Sequence, residues 1–200
     1  YQSGFDQMLN FGKSLHHCLR KASEMVKSQN IDPEIAIEKT FQGGGFHLPY
    51  AGEFAREMAE DSAKKTLLKY AKERKKDILN VHEVEARIEF PLENATVAGR
   101  IDVILDDQGK REVRDYKTSF EVTTKEESSL QVRLYALGLM LGGGKVDKAS
   151  VAALKTKEGI AQIDDVTIKK QDLEDARSQA KIAIDSIKKG IWKPKISERC

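Results

Sequence analysis

The stretch from Gly99 to Thr118 restricts the folds open to this chain more than any other. Gly99-Arg100-Ile101-Asp102 opens one apolar run, Arg111-Glu112-Val113-Arg114-Asp115-Tyr116-Lys117-Thr118 forms another, and Asp106-Asp107-Gln108-Gly109-Lys110 lies between them. A short polar turn with a glycine, flanked by runs of β-forming residues, predicts a β-hairpin. Folding the runs together brings Asp102 to the Asp115/Lys117 pair. Side chains at i and i+2 of a strand share a face, so Asp115 and Lys117 point one way and Tyr116 the other. Ile101, Val103, Ile104 and Val113 bury these strands. Buried charges are costly unless they pair or hold a metal, so two carboxylates and an ammonium here read as a metal site with a cation beside it. Hard ions such as magnesium take carboxylate oxygens as ligands. A divalent ion so held can neutralise a phosphate and lower the pKa of an attacking water, which is what phosphodiester cleavage needs.

The remaining pattern is helices first, then sheet. Asn10 to Val26 reads as a helix carrying Leu15, Leu19 and Met25, and Asp32-Pro33-Glu34 starts a short second one, with proline in its first turn. Gln42-Gly43-Gly44-Gly45 is a loop without the spacing of a phosphate-binding one. A long amphipathic helix is predicted from Glu53 to about Leu79, with Phe54, Met58, Ala59, Leu67, Leu68 and Ala71 on or near its buried side. Strands are predicted at Val81–Phe90, Thr96–Leu105 and Glu112–Lys117, followed by a helix over Leu130–Leu141 that stops at Gly142-Gly143-Gly144. Ala149–Leu154 is the next strand. Because a helix intervenes it can join the same sheet in parallel, with Ala161–Val166 as an edge strand. A last helix spans about Lys169 to Lys189, with Leu173, Ala176, Ala180, Ile184 and Ile187 at helical spacing. The expected fold class is α/β: a central mixed sheet flanked by helices, with an N-terminal helical segment.

Four signatures in this order carry a resemblance. Gly12-Lys13-Ser14-Leu15-His16, Gly99-Arg100-Ile101-Asp102, Asp115-Tyr116-Lys117-Thr118 and Gln131-Val132-Arg133-Leu134-Tyr135 together resemble the RecB-type branch of the PD-(D/E)xK nucleases. The likeness runs from about Gly12 to Tyr135. It implies a restriction-endonuclease-like core and metal-dependent cleavage of DNA with magnesium or manganese. It also implies residue roles: His16, Asp102, Asp115 and the main-chain carbonyl of Tyr116 as metal ligands, with Lys117 as the catalytic lysine. Asp102 and Asp115 would serve catalysis through the ion. Gln131 and Tyr135, four apart and so on one helix face, would border the site and position DNA, although Tyr135 reads equally well as a core residue. Arg100 and Thr118 are further candidate substrate contacts. His17 is off the pattern, since neighbours on a helix stand about 100° apart and cannot comfortably face one ion. His47 and His82 read as structural. A catalytically silent relative that only binds DNA or scaffolds a complex is the rival; such relatives lose an acid or the lysine, and this chain keeps all of them.

Length fits one domain: residues 1–79 as the helical segment with the histidine motif, 80–168 as the sheet core, 169–200 as a final helix and tail. The net charge of +2, from 34 basic and 32 acidic residues, is low for a protein that wraps nucleic acid nonspecifically, so DNA contact must come from a local patch. Lys72-Glu73-Arg74-Lys75-Lys76 reads as a solvated helix end. The apolar segment Leu134–Leu141 is too short to span a bilayer and no secretory leader opens the chain, so a cytoplasmic setting is expected. Cys18 and Cys200 cannot alone build the four-cysteine iron–sulfur cluster that many relatives of this branch carry; a longer parent protein would have to supply the others. The chain begins at Tyr1, which fits a domain excised from such a parent. The resemblance points to the C-terminal nuclease domain of superfamily 1 helicases of the UvrD and AddAB type. No Walker motif is present, so a helicase motor would lie elsewhere in the polypeptide or complex.

Overall fold

The turn between the two central runs is built as the sequence predicts. Gln108 and Gly109 have φ of 54° and 85°, both left-handed, as a two-residue type I′ connection requires. The Gly109 N–H donates to Asp106 Oδ1 at 2.7 Å, and Asp107 faces Lys110 across the ladder. The computed structural model describes residues 4–49, 51–118, 125–154 and 161–191. Helices α1 (Gly4–Gln29), α2 (Pro33–Gln42), α3 (Glu53–Glu73) and α4 (Lys75–Leu79) precede strands β1 (Val81–Leu92), β2 (Ala95–Asp107) and β3 (Lys110–Lys117). Then come α5 (Lys125–Leu141), β4 (Lys148–Ala153), β5 (Gln162–Val166) and α6 (Lys170–Lys188).

The sheet order is β1-β2-β3-β4-β5. β1–β2, β2–β3 and β4–β5 are antiparallel, and β3–β4 is parallel, with Asp115 opposite Val151 and Lys117 opposite Ala153. A parallel pair needs a crossover, which α5 supplies. Each face of the sheet has its own core. Leu15, Leu19, Ile37, Leu67, Tyr70 and Ile78 from α1 to α4 pack on Val103, Leu105 and Tyr116. On the other face, Val132 and Ala136 of α5 meet Ile88, Phe90, Ile101, Ile104, Val113 and Val151, and α6 adds Leu173, Ala180 and Ile184.

Local chemistry sets the helix ends. Asp32 caps α2 by accepting from the Glu34 N–H at 2.9 Å, and α5 stops where Gly143 turns left-handed at φ 82° and the Gly144 N–H returns to Leu139 O. Three expectations are corrected. The helix predicted over 53–79 breaks at Arg74 (φ −125°), which turns α4 so that Ile78 enters the core, 1% exposed. The run over 72–76 is the solvated end expected, with Lys72, Glu73, Lys75 and Lys76 exposed; within it Arg74 is half-buried and donates to Ala161 O, and Lys75 pairs with Asp32. Phe54 and Met58 are 74% and 60% exposed: at about 100° per residue Met58 lies opposite Leu67, the centre of the buried stripe. Ile187 is likewise exposed, near the end of α6. The segment Trp192–Cys200, including Cys200, lies outside the described residues.

Candidate active site

The site is built where β2 and β3 stop pairing. Their ladder runs from Asp107 opposite Lys110 to Val103 opposite Arg114. One step further the Tyr116 N–H donates to Asp102 Oδ2 at 2.7 Å, so a carboxylate takes the place of a ladder partner. Asp115 lies on the adjoining stretch of β3, 3% exposed, with Oδ2 2.9 Å from Lys117 Nζ. Asp115 Oδ2 is buried, and this ion pair is the contact it makes. Lys117 Nζ donates to Gln131 Oε1 at 3.0 Å, and Gln131 Nε2 donates to the Tyr135 hydroxyl at 2.7 Å. From the other side of the cleft, α1 brings His16, whose Nδ1 is 3.7 Å from Asp102 Oδ2 and whose ring meets Tyr116 edge-on. His16 Nε2 is buried without a hydrogen-bond partner.

Two glycines explain how distant segments come this close. A methyl group at Gly12 would come within 2.8 Å of Thr118 Oγ1, so glycine lets α1 pass the end of β3 without displacing that hydroxyl. A methyl at Gly99 would stand 3.0 Å from Tyr135 Cε1. The aromatic ring of α5 therefore rests on bare backbone of β2, three residues before Asp102.

Electrostatics set the site apart. Burial pushes the Asp102 carboxyl above its ordinary range, and burial together with the charge of Asp102 does the same to Asp115. His16 is held below its ordinary range by burial, against the opposing pull of Asp115, which favours the neutral imidazole that binds metals. Among the described residues, no three His, Cys, Asp or Glu side chains stand close enough to form a ready-made metal cage. The donors nevertheless suit a divalent ion: one neutral imidazole with an unpartnered nitrogen, and two desolvated carboxylates. Lys117 supplies the counter-charge to Asp115.

The structure thus gathers His16, Asp102, Asp115, Tyr116, Lys117, Gln131 and Tyr135, with Thr118 at the edge against Gly12. Arg100 is exposed on β2 and reaches the cleft only through Glu85, 3.4 Å from its Nη1. His17 faces away and accepts from Arg20 Nη2 at 3.0 Å; burial and the adjacent Arg20 and Lys21 keep it neutral. His47 and His82 are exposed. Two charged residues in the cleft lining escaped the sequence reading, Glu85 and Arg20. Glu85 has φ 49°, and this kink turns it toward the cleft, which strand alternation cannot reveal. Arg20 stands four residues after His16, a helical spacing that could have flagged it.

Behind the site, on the opposite face of β3, Arg114 is 2% exposed. Its Nε donates to Glu112 Oε1 at 2.9 Å and Ser150 Oγ at 3.0 Å, Nη2 to Glu112 Oε1 at 2.7 Å, and Nη1 to the Tyr70 hydroxyl at 3.2 Å and to Asp77. The Tyr70 and Tyr116 hydroxyls are 3.2 Å apart. This network grips the strand whose next residues are Asp115 and Tyr116.

A five-stranded mixed sheet with helices on both faces, and acids and a lysine where two strands part, is the architecture of one nuclease class. The chain belongs to the PD-(D/E)XK nuclease superfamily, which it matches over residues 2–200. Solved structures are more distant. The protein SSO0001 is 16% identical with a TM-score of 0.40, over 86% of this chain and 73% of that one. A protein described as a candidate exonuclease from Eubacterium rectale is 12% identical with a TM-score of 0.48, over 90% of this chain and 70% of that one. Protein VC1899 from Vibrio cholerae is 15% identical with a TM-score of 0.32, and the match spans 90% of this chain and 53% of that one. No curated protein matched the sequence.

Proposed function

We propose that this chain is a magnesium- or manganese-dependent deoxyribonuclease of the RecB-type branch. The observation that carries the reading is the convergence of His16, Asp102, Asp115 and Lys117, from three separate signatures, on the point where β2 and β3 part: His16 Nδ1 is 3.7 Å from Asp102 Oδ2, Asp115 Oδ2 is 2.9 Å from Lys117 Nζ, and His16 Nε2 is buried without a hydrogen bond. His16, Asp102, Asp115 and the Tyr116 carbonyl would hold the ion. When bound, a divalent ion neutralises the phosphate and acidifies a water. Lys117 then stabilises charge developing on the phosphate oxygens. Its Nζ is steadied for this by Gln131, which is itself fixed by Tyr135. Thr118 and Arg100 flank the path of the strand. We place the domain further in an ATP-dependent helicase–nuclease of DNA repair or recombination, acting in the cytoplasm beside a motor in the same polypeptide or complex; what supports this is the resemblance of the four signatures. No helix among the described residues is long and apolar enough to cross a membrane.

The test is cleavage of end-labelled linear and circular, single- and double-stranded DNA in magnesium, manganese or EDTA, with Asp115→Ala and Lys117→Ala in parallel. Metal-dependent cutting that disappears in both variants is expected. Cutting retained by Lys117→Ala would refute its role, and no cutting by the folded wild-type chain would favour a silent scaffold.

A further inference from the structure

The cleft has a second charged edge, one helical turn beyond His16. Arg20 lies on the same side of α1, about 6 Å further along the helix axis. That is on the order of the spacing between successive phosphates of a nucleic-acid strand. Its guanidinium is loosely held: Nη2 meets His17 Nδ1 at 3.0 Å, Nη1 meets Glu24 Oε1 at 3.3 Å, and Nε, 3.7 Å from Glu85 Oε2, is buried with no hydrogen bond. The same Glu85 oxygen accepts from Arg100 Nη1 at 3.4 Å, so one carboxylate oxygen serves two guanidiniums. A third, Arg87, stands directly across the ladder from Arg100, and both are exposed. Like charges facing each other on a sheet cost stability. Three arginines against Glu85 and Glu24 leave this edge positive and rich in unused N–H donors, beside a site whose own carboxylates would repel a polyanion.

We propose that Arg20 and Arg100, spread on either side of Glu85, bind the backbone phosphate next to the one that is cut. The proposal rests on the nuclease reading and gives it a substrate contact. In the DNA-free protein Glu85 and Glu24 hold the two forks in place. The phosphate oxygens replace these loose partners, and the planar guanidinium meets them with paired N–H bonds. His17 then has a function as well: its acceptor nitrogen orients Arg20 from the solvent side.

The experiment uses a single-stranded oligonucleotide in which one phosphate at a time is replaced by a neutral methylphosphonate, cut by wild type, Arg20→Gln, Arg20→Lys and Arg100→Gln. In wild type, one neutral linkage beside the cut slows cleavage about tenfold, the worth of one charge-assisted hydrogen bond. Arg20→Gln slows the all-phosphate strand by a similar factor, and at that linkage the neutral group costs it less than it costs wild type, because only Arg100 remains to lose its contact. Arg20→Lys, with the charge but no fork, falls between. Losses that multiply at every linkage in Arg20→Gln, or unchanged cutting by both glutamine variants, overturn the proposal. Circular dichroism confirms folding, and the exposed Arg100 position carries the same test if Arg20→Gln unfolds. A folded wild type that cuts no unmodified strand refutes the nuclease reading itself, whereas cutting without this coupling refutes only the arginine site.

Discussion

Arg114→Met tests whether the network behind β3 is a structural requirement. Arg114 is 2% exposed and supplies hydrogen bonds to Glu112, Ser150, Tyr70 and Asp77. Methionine fills much of the volume but removes the charge. Glu112 and Asp77, 13% and 23% exposed at the side chain, then face each other's surroundings with Lys148 Nζ, 3.6 Å from Glu112 Oε2, as the nearest remaining cation of the group. Breaking one partner out of a buried ion pair costs roughly 3–5 kcal/mol, and the partial exposure of Asp77 places this case near the lower end. For a chain of this length about 3 kcal/mol corresponds to a fall in Tm of roughly 6–12 °C. Urea unfolding in EDTA reads the effect as a lower midpoint at unchanged slope. Adding Glu112→Gln and Asp77→Asn to Arg114→Met recovers part of the loss, because the cost lies in the stranded carboxylates. A single Arg114→Met within about 1 kcal/mol of wild type, or a triple variant no better than the single, would refute the reasoning.

Other perturbations have equally definite outcomes. Because the buried Asp115 carboxyl is raised above its ordinary range, the native state binds more protons than the unfolded chain, and its contribution to stability falls as pH rises above about 4. Asp115→Asn therefore abolishes cutting yet raises the EDTA-state urea midpoint at pH 8, with the gain shrinking toward pH 4; a lower midpoint at pH 8 contradicts this. Gly12→Ala, whose methyl meets Thr118 Oγ1 at 2.8 Å, costs about 1–3 kcal/mol and reduces cleavage, and Thr118→Ala restores much of both. Burial pushes the Cys18 thiol up to about 12, so iodoacetamide labels Cys18 only after unfolding, read by peptide mass spectrometry.

The hairpin, the parallel return through α5 and the alternation that sends Tyr116 to one face and Asp115 to the other were legible because each rests on local rules. Turn glycine, strand period and crossover length need no knowledge of distant residues. The errors arose where phase or backbone curvature decides. Phe54 and Met58 are apolar at helical spacing from each other but on the wrong side of α3 relative to Leu67, and the break at Arg74 follows from burying Ile78. Glu85 was missed because its left-handed φ breaks the two-residue period of β1. Arg20 was missed because an arginine on a helix surface is ordinary until the sheet that faces it is known.

The close approaches at Gly12 and Gly99 have a mechanical consequence. Starting at Gly12, contact passes to Thr118, along the chain to Lys117, by hydrogen bonds through Gln131 to Tyr135, from that ring onto Gly99, down β2 to Asp102, across to His16 and back one turn to Gly12. The circuit is closed and has no loose end. Three helix and strand layers are tied into it at their narrowest points, so a displacement at any link is shared by both neighbours instead of being absorbed by a free side chain. Substitutions on the outer faces of α3 or α6 stay local, whereas a change at one link of this circuit is felt at the next, as a methyl at Gly12 is felt at Thr118.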